Sequence, residues 1–160
     1  MIKVQHLDRR LAETKDEYYA CIEDICRREV PANGYYSDQV ERWLQEQSGR
    51  KHAIFTRSGS IALLLTLLGN KIGAGDEVII TNYSCPASCS YVFIAGATPV
   101  YCEIDNTGQM DSRYLESLLS SKTKAVVATG LYGDMHDHQG IKDFCDKHKL
   151  IYINDAAQSA

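Results

Sequence analysis

The stretch Leu150-Ile-Tyr-Ile-Asn-Asp-Ala-Ala-Gln-Ser159 begins with a short apolar run and then changes abruptly to acidic, small and amide residues. A run of this length, with β-branched residues and no helical period, is typical of a buried strand in a parallel sheet. In open parallel sheets, ligands bind at the carboxyl ends of the strands. We therefore expect Asp155 and Gln158 to lie beside a ligand, because a buried carboxylate needs a partner. A second interpretation stays open, in which Asp155 only caps the next helix.

The composition of the chain is that of an ordinary globular protein. Its 160 residues suit one domain with a real core, and it is 44% hydrophobic and 24% charged. The net charge of −4 and the lack of a basic cluster argue against a nucleic-acid partner. No signal-peptide core and no apolar run long enough to span a bilayer occur in the sequence. These features predict a cytoplasmic protein with no membrane partner.

The cysteine pattern favours neither disulfides nor a zinc site. No CxxC pair occurs, and His136-x-His138 has no matching second half of a metal site. We therefore interpret the thiols as reduced and mostly buried, and we predict no metal. The cysteines concerned are Cys21, Cys26, Cys85, Cys89, Cys102 and Cys145.

The pattern of apolar residues differs between two regions of the chain. Residues 1–35 form a helical segment, in which Asp8 to Val30 read as an amphipathic helix stopped by Pro31. Residues 36–160 include a region, from Lys51 onward, that alternates short apolar runs with helical periods. Repeated strand, helix and strand predict an α/β fold with a parallel sheet and right-handed crossovers. The predicted strands are Ala53–Thr56, Glu77–Ile80, Val100–Ile104, Lys124–Ala128 and Leu150–Asn154.

The sequence Ser58-Gly-Ser60 lies between a predicted strand and a helix. At such a point the unpaired backbone N–H groups and the helix dipole attract an anion, and Gly59 permits close approach. Phosphate is the natural ligand, although a simple helix cap explains the same residues. Neither GxGxxG nor GxxxxGK[ST] is present, so no dinucleotide or nucleoside-triphosphate fingerprint competes with this interpretation.

Three sets of segments together resemble a known family. They are Ser58-Gly-Ser-Ile-Ala-Leu63, then Gly75-Asp-Glu-Val-Ile-Ile80 with Ala95-Gly-Ala-Thr-Pro-Val100, then Leu131-Tyr-Gly133 with Asp155-Ala-Ala-Gln-Ser159. In this order they resemble the DegT/DnrJ/EryC1/StrS family of pyridoxal-phosphate (PLP) sugar aminotransferases. The resemblance implies part of the fold type I PLP-transferase large domain, a three-layer α/β/α structure with a mostly parallel sheet.

The resemblance also implies roles for individual residues. The family's phosphate-binding pair falls on Gly59 and Ser60, and its pyridine-nitrogen acid falls on Asp155. Its glutamine near the ring hydroxyl falls on Gln158. Cys85 occupies the position where many members stack an aromatic side chain on the ring, so this chain keeps a polarizable contact without the stacking platform.

The family's Schiff-base lysine follows the Asp-Ala-Ala-Gln stretch, and neither Lys122 nor Lys124 stands in that motif. We therefore expect the chain to be the N-terminal portion of such an enzyme, without the small C-terminal domain and with no catalytic residue of its own. Without the lysine amine there is no covalent anchor and no base for the proton shuttle.

Three functional hypotheses stay open at this point. The first, which the resemblance implies, is an aminotransferase that uses PLP to move an amino group from glutamate to a nucleotide-linked keto-sugar, as a homodimer in the complete protein. The second is a non-catalytic fragment or partner subunit that associates with a complementary or full-length chain. The third is another fold type I PLP enzyme such as a desulfurase, which the order of the motifs disfavours.

Overall fold

The computed structural model describes residues 7–28, 34–133 and 137–159. The described residues up to Phe55 form one compact unit, and those from Thr56 onward form a second. The division into 1–35 and 36–160 stays a prediction.

The first unit contains two helices, α1 (Leu7–Arg28) and α2 (Tyr35–Ser48). The Tyr36 hydroxyl donates to Asp24 Oδ2 at 3.0 Å and so links the start of α2 to the end of α1. α2 ends at Gly49, whose φ of +64° is a left-handed conformation that glycine adopts readily. The predicted stop at Pro31 lies outside the described residues. Among the helices described, none is both long enough and apolar enough to cross a membrane.

The predicted strand Ala53–Thr56 is wrong. No strand is assigned to this segment, and Ile54 and Phe55 are 78% and 54% exposed. The Phe55 N–H donates to the Glu41 carboxylate at 2.7 Å instead of joining a ladder. An extended segment becomes a strand only beside a hydrogen-bonded neighbour, and no described residue pairs with this one.

The second unit is built on a four-stranded parallel sheet with the order β2-β1-β3-β4. Its strands are β1 (Glu77–Thr81), β2 (Thr98–Cys102), β3 (Thr123–Thr129) and β4 (Ile151–Asp155). Its helices are α3 (Gly59–Gly69), α4 (Ala87–Ile94), α5 (Leu115–Leu118, after a 3-10 turn at Ser112–Tyr114) and α6 (His138–His148).

The remaining predicted strands are confirmed, each with ends displaced by a residue or two. β2 begins at Thr98 rather than Val100 and therefore includes Pro99. Proline lacks the N–H that a central strand needs, but β2 lies at an edge of the described sheet, where this loss is tolerated.

Apolar residues alternate along the strands and build a core on each face of the sheet. On one face Val78, Ile80, Val127 and Ile153 pack in one buried cluster with Leu67 of α3 and with Tyr91 and Val92 of α4. On the other face Ile79, Val126 and Ala128 pack with Leu115 of α5 and with Ile141, Phe144 and Cys145 of α6. The predicted three-layer α/β/α fold is therefore confirmed.

The expectation of buried thiols holds only in part. Cys102 and Cys145 are buried, and burial raises the pKa of their thiols to about 12 and about 11. Cys21, Cys26 and Cys85 are exposed because they lie on α1 and on a loop rather than under the sheet. No group of three His, Cys, Asp or Glu suited to a metal ion occurs among the described residues, and His136 lies outside them.

Helix α3 presents apolar side chains on both of its sides. Leu67 is fully buried in the core, whereas Ile61, Leu65 and Leu68 are 39%, 50% and 50% exposed. Their i, i+4, i+7 spacing places these three side chains on one outward stripe, which we call the α3 stripe. An exposed apolar stripe of this kind is typical of an interface.

We predict that the 160-residue chain self-associates through the α3 stripe. Light scattering should show species larger than the monomer, and the double change Leu65→Glu, Leu68→Glu should shift them to monomer. Thr66→Glu, an exposed position beside the stripe, is the matched control and should leave the association unchanged. A monodisperse monomer at roughly tens of micromolar, the range of weak interfaces, contradicts the prediction.

Candidate functional site

The ends of the strands bring the predicted site residues to one edge of the sheet. β1, β3 and β4 run parallel, so the loops that follow Thr81, Thr129 and Asp155 emerge together. The chain reverses its direction across the sheet between β1 and β3, and such a switch point opens a crevice for ligands. α3 connects to the start of β1 through residues 70–76, so it runs back across the sheet and its N-terminus lies at this same edge.

Asp155 is the last residue of β4 and has both local and cross-strand contacts. Its backbone oxygen accepts from Gly130 N–H at 3.0 Å, which joins the ends of β4 and β3. Its Oδ1 accepts from Ala157 N–H at 3.2 Å in a turn, and no helix is assigned to the described residues that follow it. An N-cap side chain makes this same contact with the N–H two residues on, so the helix-cap interpretation stays a prediction.

Gln158 holds the loop that follows β3. Its Oε1 accepts from Tyr132 N–H at 3.1 Å. Tyr132 has a φ of +60°, an uncommon conformation for a residue with a side chain, and a fixed backbone partner helps to maintain it. Because the amide oxygen is used in this bond, the Nε2 group of Gln158 is left as a donor.

Two further contacts at this edge were not anticipated from the sequence. Gln109 is buried, and its amide donates to Leu131 O at 3.1 Å and accepts from Leu131 N–H at 3.3 Å. The Tyr83 and Tyr132 hydroxyls lie 2.8 Å apart, and this bond is the main cause that raises the pKa of Tyr132. In the sequence, the only sign of a role for Gln109 is an amide side chain between Gly108 and the apolar Met110. Its hydrogen-bond partner, Leu131, lies 22 residues away, so local sequence does not identify this contact.

The predicted phosphate-binding residues lie in the first turn of α3. Ser58 is the N-cap, and its hydroxyl accepts from Ile61 N–H at 3.3 Å. Gly59 and Ser60 are exposed, and no atom beyond the adjoining residues and the backbone of α3 lies within 4 Å of the place where a Cβ of Gly59 would stand. The N–H groups of a first helical turn have no partner within the helix, so this open end is suited to an anion.

The described contacts link Asp155 and Gln158 through the loop after β3. They do not extend to Gly59 and Ser60 in the first turn of α3, or to Cys85 on the loop before α4. Cys85 is exposed, and its backbone oxygen accepts from Ser88 N–H at 2.7 Å at the start of α4. The edge thus presents an exposed helix N-terminus, a carboxylate and an amide donor.

A sequence model of the DegT/DnrJ/EryC1/StrS aminotransferase family matches residues 12–160. The chain belongs to this family. The predicted resemblance is therefore confirmed, and PLP is the cofactor of the family. The donor set of the edge fits that cofactor, since a phosphate suits the open end of α3 and a carboxylate suits a ring nitrogen that carries a proton.

Named relatives agree with the family assignment. The chain is 32% identical over 160 residues to UDP-2-acetamido-2-deoxy-3-oxo-D-glucuronate aminotransferase of Pseudomonas aeruginosa, covering 99% of this chain and 45% of that protein. It matches the structure of S. venezuelae DesV with a TM-score of 0.92 and 30% identity, over 96% of this chain and 42% of the other. It also matches ntda from Bacillus subtilis, described with bound cofactor PMP, with a TM-score of 0.88 and 28% identity, over 91% and 34% of the two chains. The chain spans less than half the length of each of these relatives.

The contact between Gln158 and Tyr132 gives a prediction that requires no ligand. Gln158→Ala should speed hydrogen exchange of the Tyr132 amide by on the order of fivefold, because one hydrogen bond is lost. Gln158→Glu should preserve the protection, since a carboxylate oxygen accepts from the same N–H. Exchange followed by NMR measures both, with Gln139→Ala, whose amide contacts Asp143 on α6, as the control. Equal exchange rates of the Tyr132 amide in the wild type and in Gln158→Ala would contradict the hydrogen bond between Tyr132 and Gln158.

Proposed function

We propose that these residues form the cofactor-binding part of a PLP-dependent aminotransferase that moves an amino group from glutamate to a nucleotide-linked keto-sugar. The observation that carries the proposal is the Asp155 carboxylate at the end of β4, tied through Gly130 to the loop that Gln158 holds. The family assignment and a relative named for amination of a UDP-linked oxo-sugar support the choice of reaction and substrate class.

At the ring end of the cofactor, Asp155 holds a proton on the pyridine nitrogen. When bound, PLP supplies an electron sink, and the protonated ring is the stronger one. Gln158 has its amide oxygen committed to Tyr132 N–H, so its Nε2 group donates to the ring hydroxyl oxygen. Both residues, which lie three positions apart at the end of β4, would orient the ring.

At the other end, Gly59 and Ser60 bind the phosphate. The first-turn N–H groups of α3 and the positive end of its dipole attract the anion, and the exposed Ser60 hydroxyl adds a donor. Gly59 leaves the approach open, because no atom lies near the place of a Cβ there. Cys85 would contact the ring as a polarizable group.

The assembly and the place of action belong to the same proposal. We place the enzyme in the cytoplasm as a homodimer, and we place the lysine implied by the family resemblance outside these 160 residues. The α3 stripe favours a second candidate, a non-catalytic partner subunit that associates with a complete chain. Mixing the 160-residue chain with the complete protein separates the two, because a partner subunit changes the turnover of its complement.

Substitutions at the two ends of the cofactor should have different effects in a protein that includes the lysine. Asp155→Asn should reduce the single-turnover rate by on the order of a hundredfold or more, because an amide cannot hold the ring proton. Ser60→Ala removes one phosphate donor among several, so PLP affinity should fall while the rate at saturating PLP changes little. Stopped-flow rates and PLP titrations measure these effects.

The melting temperature of Asp155→Asn serves as the control for this comparison. If Asp155 supports only the local turn, this variant loses thermal stability and keeps a normal rate. That outcome would contradict the proposed role of Asp155 in binding the cofactor.

The 160-residue chain itself should not form a defined covalent site with PLP. Its lysines, Lys122 and Lys124 among them, lie outside the family's lysine motif. After mixing with PLP and reduction with borohydride, peptide mapping should show only scattered, substoichiometric labelling. Stoichiometric labelling of one lysine contradicts this expectation.

A further inference from the structure

The Tyr91 hydroxyl is a buried polar group that the cofactor contacts do not involve. Tyr91 lies on α4, and only 2% of it is exposed. Within the described part of the chain, its hydroxyl has no hydrogen-bond partner. Tyr91 belongs to the buried apolar cluster that includes Leu67, Val92 and Ile153. Because a buried donor without an acceptor is unfavourable, we expect a nearby acceptor to form a hydrogen bond with this hydroxyl.

Asp155 is the charged acceptor on the same face of the sheet. Ile153 packs in the cluster that contains Tyr91, and side chains two residues apart on a strand share a face. Asp155 therefore projects toward the α4 side at the carboxyl end of β4. Burial, followed by the charges of Asp155 and then Cys89, raises the pKa of Tyr91 above its usual range. The Tyr91 hydroxyl accordingly keeps its proton and acts as a donor.

The Asp155 carboxylate has the freedom to meet this donor. Its side chain is half-buried, and the contact described for it uses Oδ1, which accepts from Ala157 N–H. None of the described contacts uses Oδ2, so this oxygen is left as an acceptor. Tyr91 is packed in the buried cluster, whereas Asp155 is only half-buried, so we expect Asp155 to be the partner that moves.

We propose that Tyr91 is the positioning residue for Asp155, with its hydroxyl donating to Oδ2 of the carboxylate. A charge-assisted bond from a rigid core side chain fixes the orientation of the carboxylate. The functional meaning rests on the proposed function, in which Asp155 holds the ring proton. Tyr91 itself touches no cofactor and acts only through Asp155.

The first test is NMR of the cofactor-free 160-residue chain. The Tyr91 hydroxyl proton should exchange slowly and resonate downfield. Asp155→Asn should move it upfield, because an amide oxygen is a weaker acceptor than a carboxylate. The ring protons of Tyr114, which is 46% exposed on the opposite layer, are the internal control and should not respond. A Tyr91 resonance unchanged by Asp155→Asn overturns the proposal.

The second test is a double-mutant cycle in thermal stability. Tyr91→Phe should lower the melting temperature by about 2–4 °C when Asp155 is present, and by much less in an Asp155→Ala background. Tyr114→Phe should have the same small effect in both backgrounds. Equal losses for Tyr91→Phe in the two backgrounds overturn the proposal, as does a gain in stability with Asp155 present.

These tests separate failure of this inference from failure of the proposed function. Both are carried out without PLP, so they depend only on the pair of side chains. Loss of turnover in Asp155→Asn together with no coupling to Tyr91 overturns the inference and leaves the proposed function standing. Coupling together with normal turnover in Asp155→Asn supports the contact and overturns the cofactor role of Asp155.

Discussion

The hydrogen bond from Gly130 N–H to the backbone oxygen of Asp155 is the constraint on which the candidate site depends. It closes the parallel register of β3 and β4, in which Thr129 lies opposite Asp155, and so places the last residue of β4 beside the loop after β3. Slippage by one residue would send Asp155 to the opposite face of the sheet, because side chains alternate along a strand. The position of the carboxylate is therefore a consequence of register.

Packing on both faces of the sheet sets that register. Val126 and Val127 are adjacent in β3, yet one faces α6 and the other faces α4, and both are almost fully buried. Burying each such side chain contributes roughly 1.5–3 kcal/mol, more than the net value of about 1 kcal/mol for a single hydrogen bond. Loss of apolar burial on both faces thus makes a slipped register far less stable than the observed one.

The loop after β3 shows how side-chain amides extend this order beyond the strands. Gln109 holds Leu131 by two hydrogen bonds from inside, and Gln158 holds Tyr132 from the exposed side. Between them they maintain a backbone that contains a left-handed tyrosine. Such local strain persists only where the surroundings define it, and it concentrates at functional sites.

The local sequence determined the elements whose signals lie within a few residues. The apolar runs of β1, β3 and β4 and the helix start at Ser58 follow from short-range patterns and are confirmed. The resemblance carried by ordered motifs identified the family and its cofactor. Ala53–Thr56 shows the limit of local pattern, since an apolar run becomes a strand only when a neighbour supplies a ladder.

Only the tertiary structure decided which polar groups meet. The pairs Gln158–Tyr132 and Gln109–Leu131 join residues 26 and 22 positions apart, and no periodicity links them. From the sequence, Tyr91 is likewise indistinguishable from an ordinary core aromatic residue. The structure packs it in one cluster with Ile153, and Asp155 lies two residues further along the same face of that strand. Contacts of this kind depend on strand order and register, which arise from burial summed over the whole sheet rather than from any one stretch of sequence.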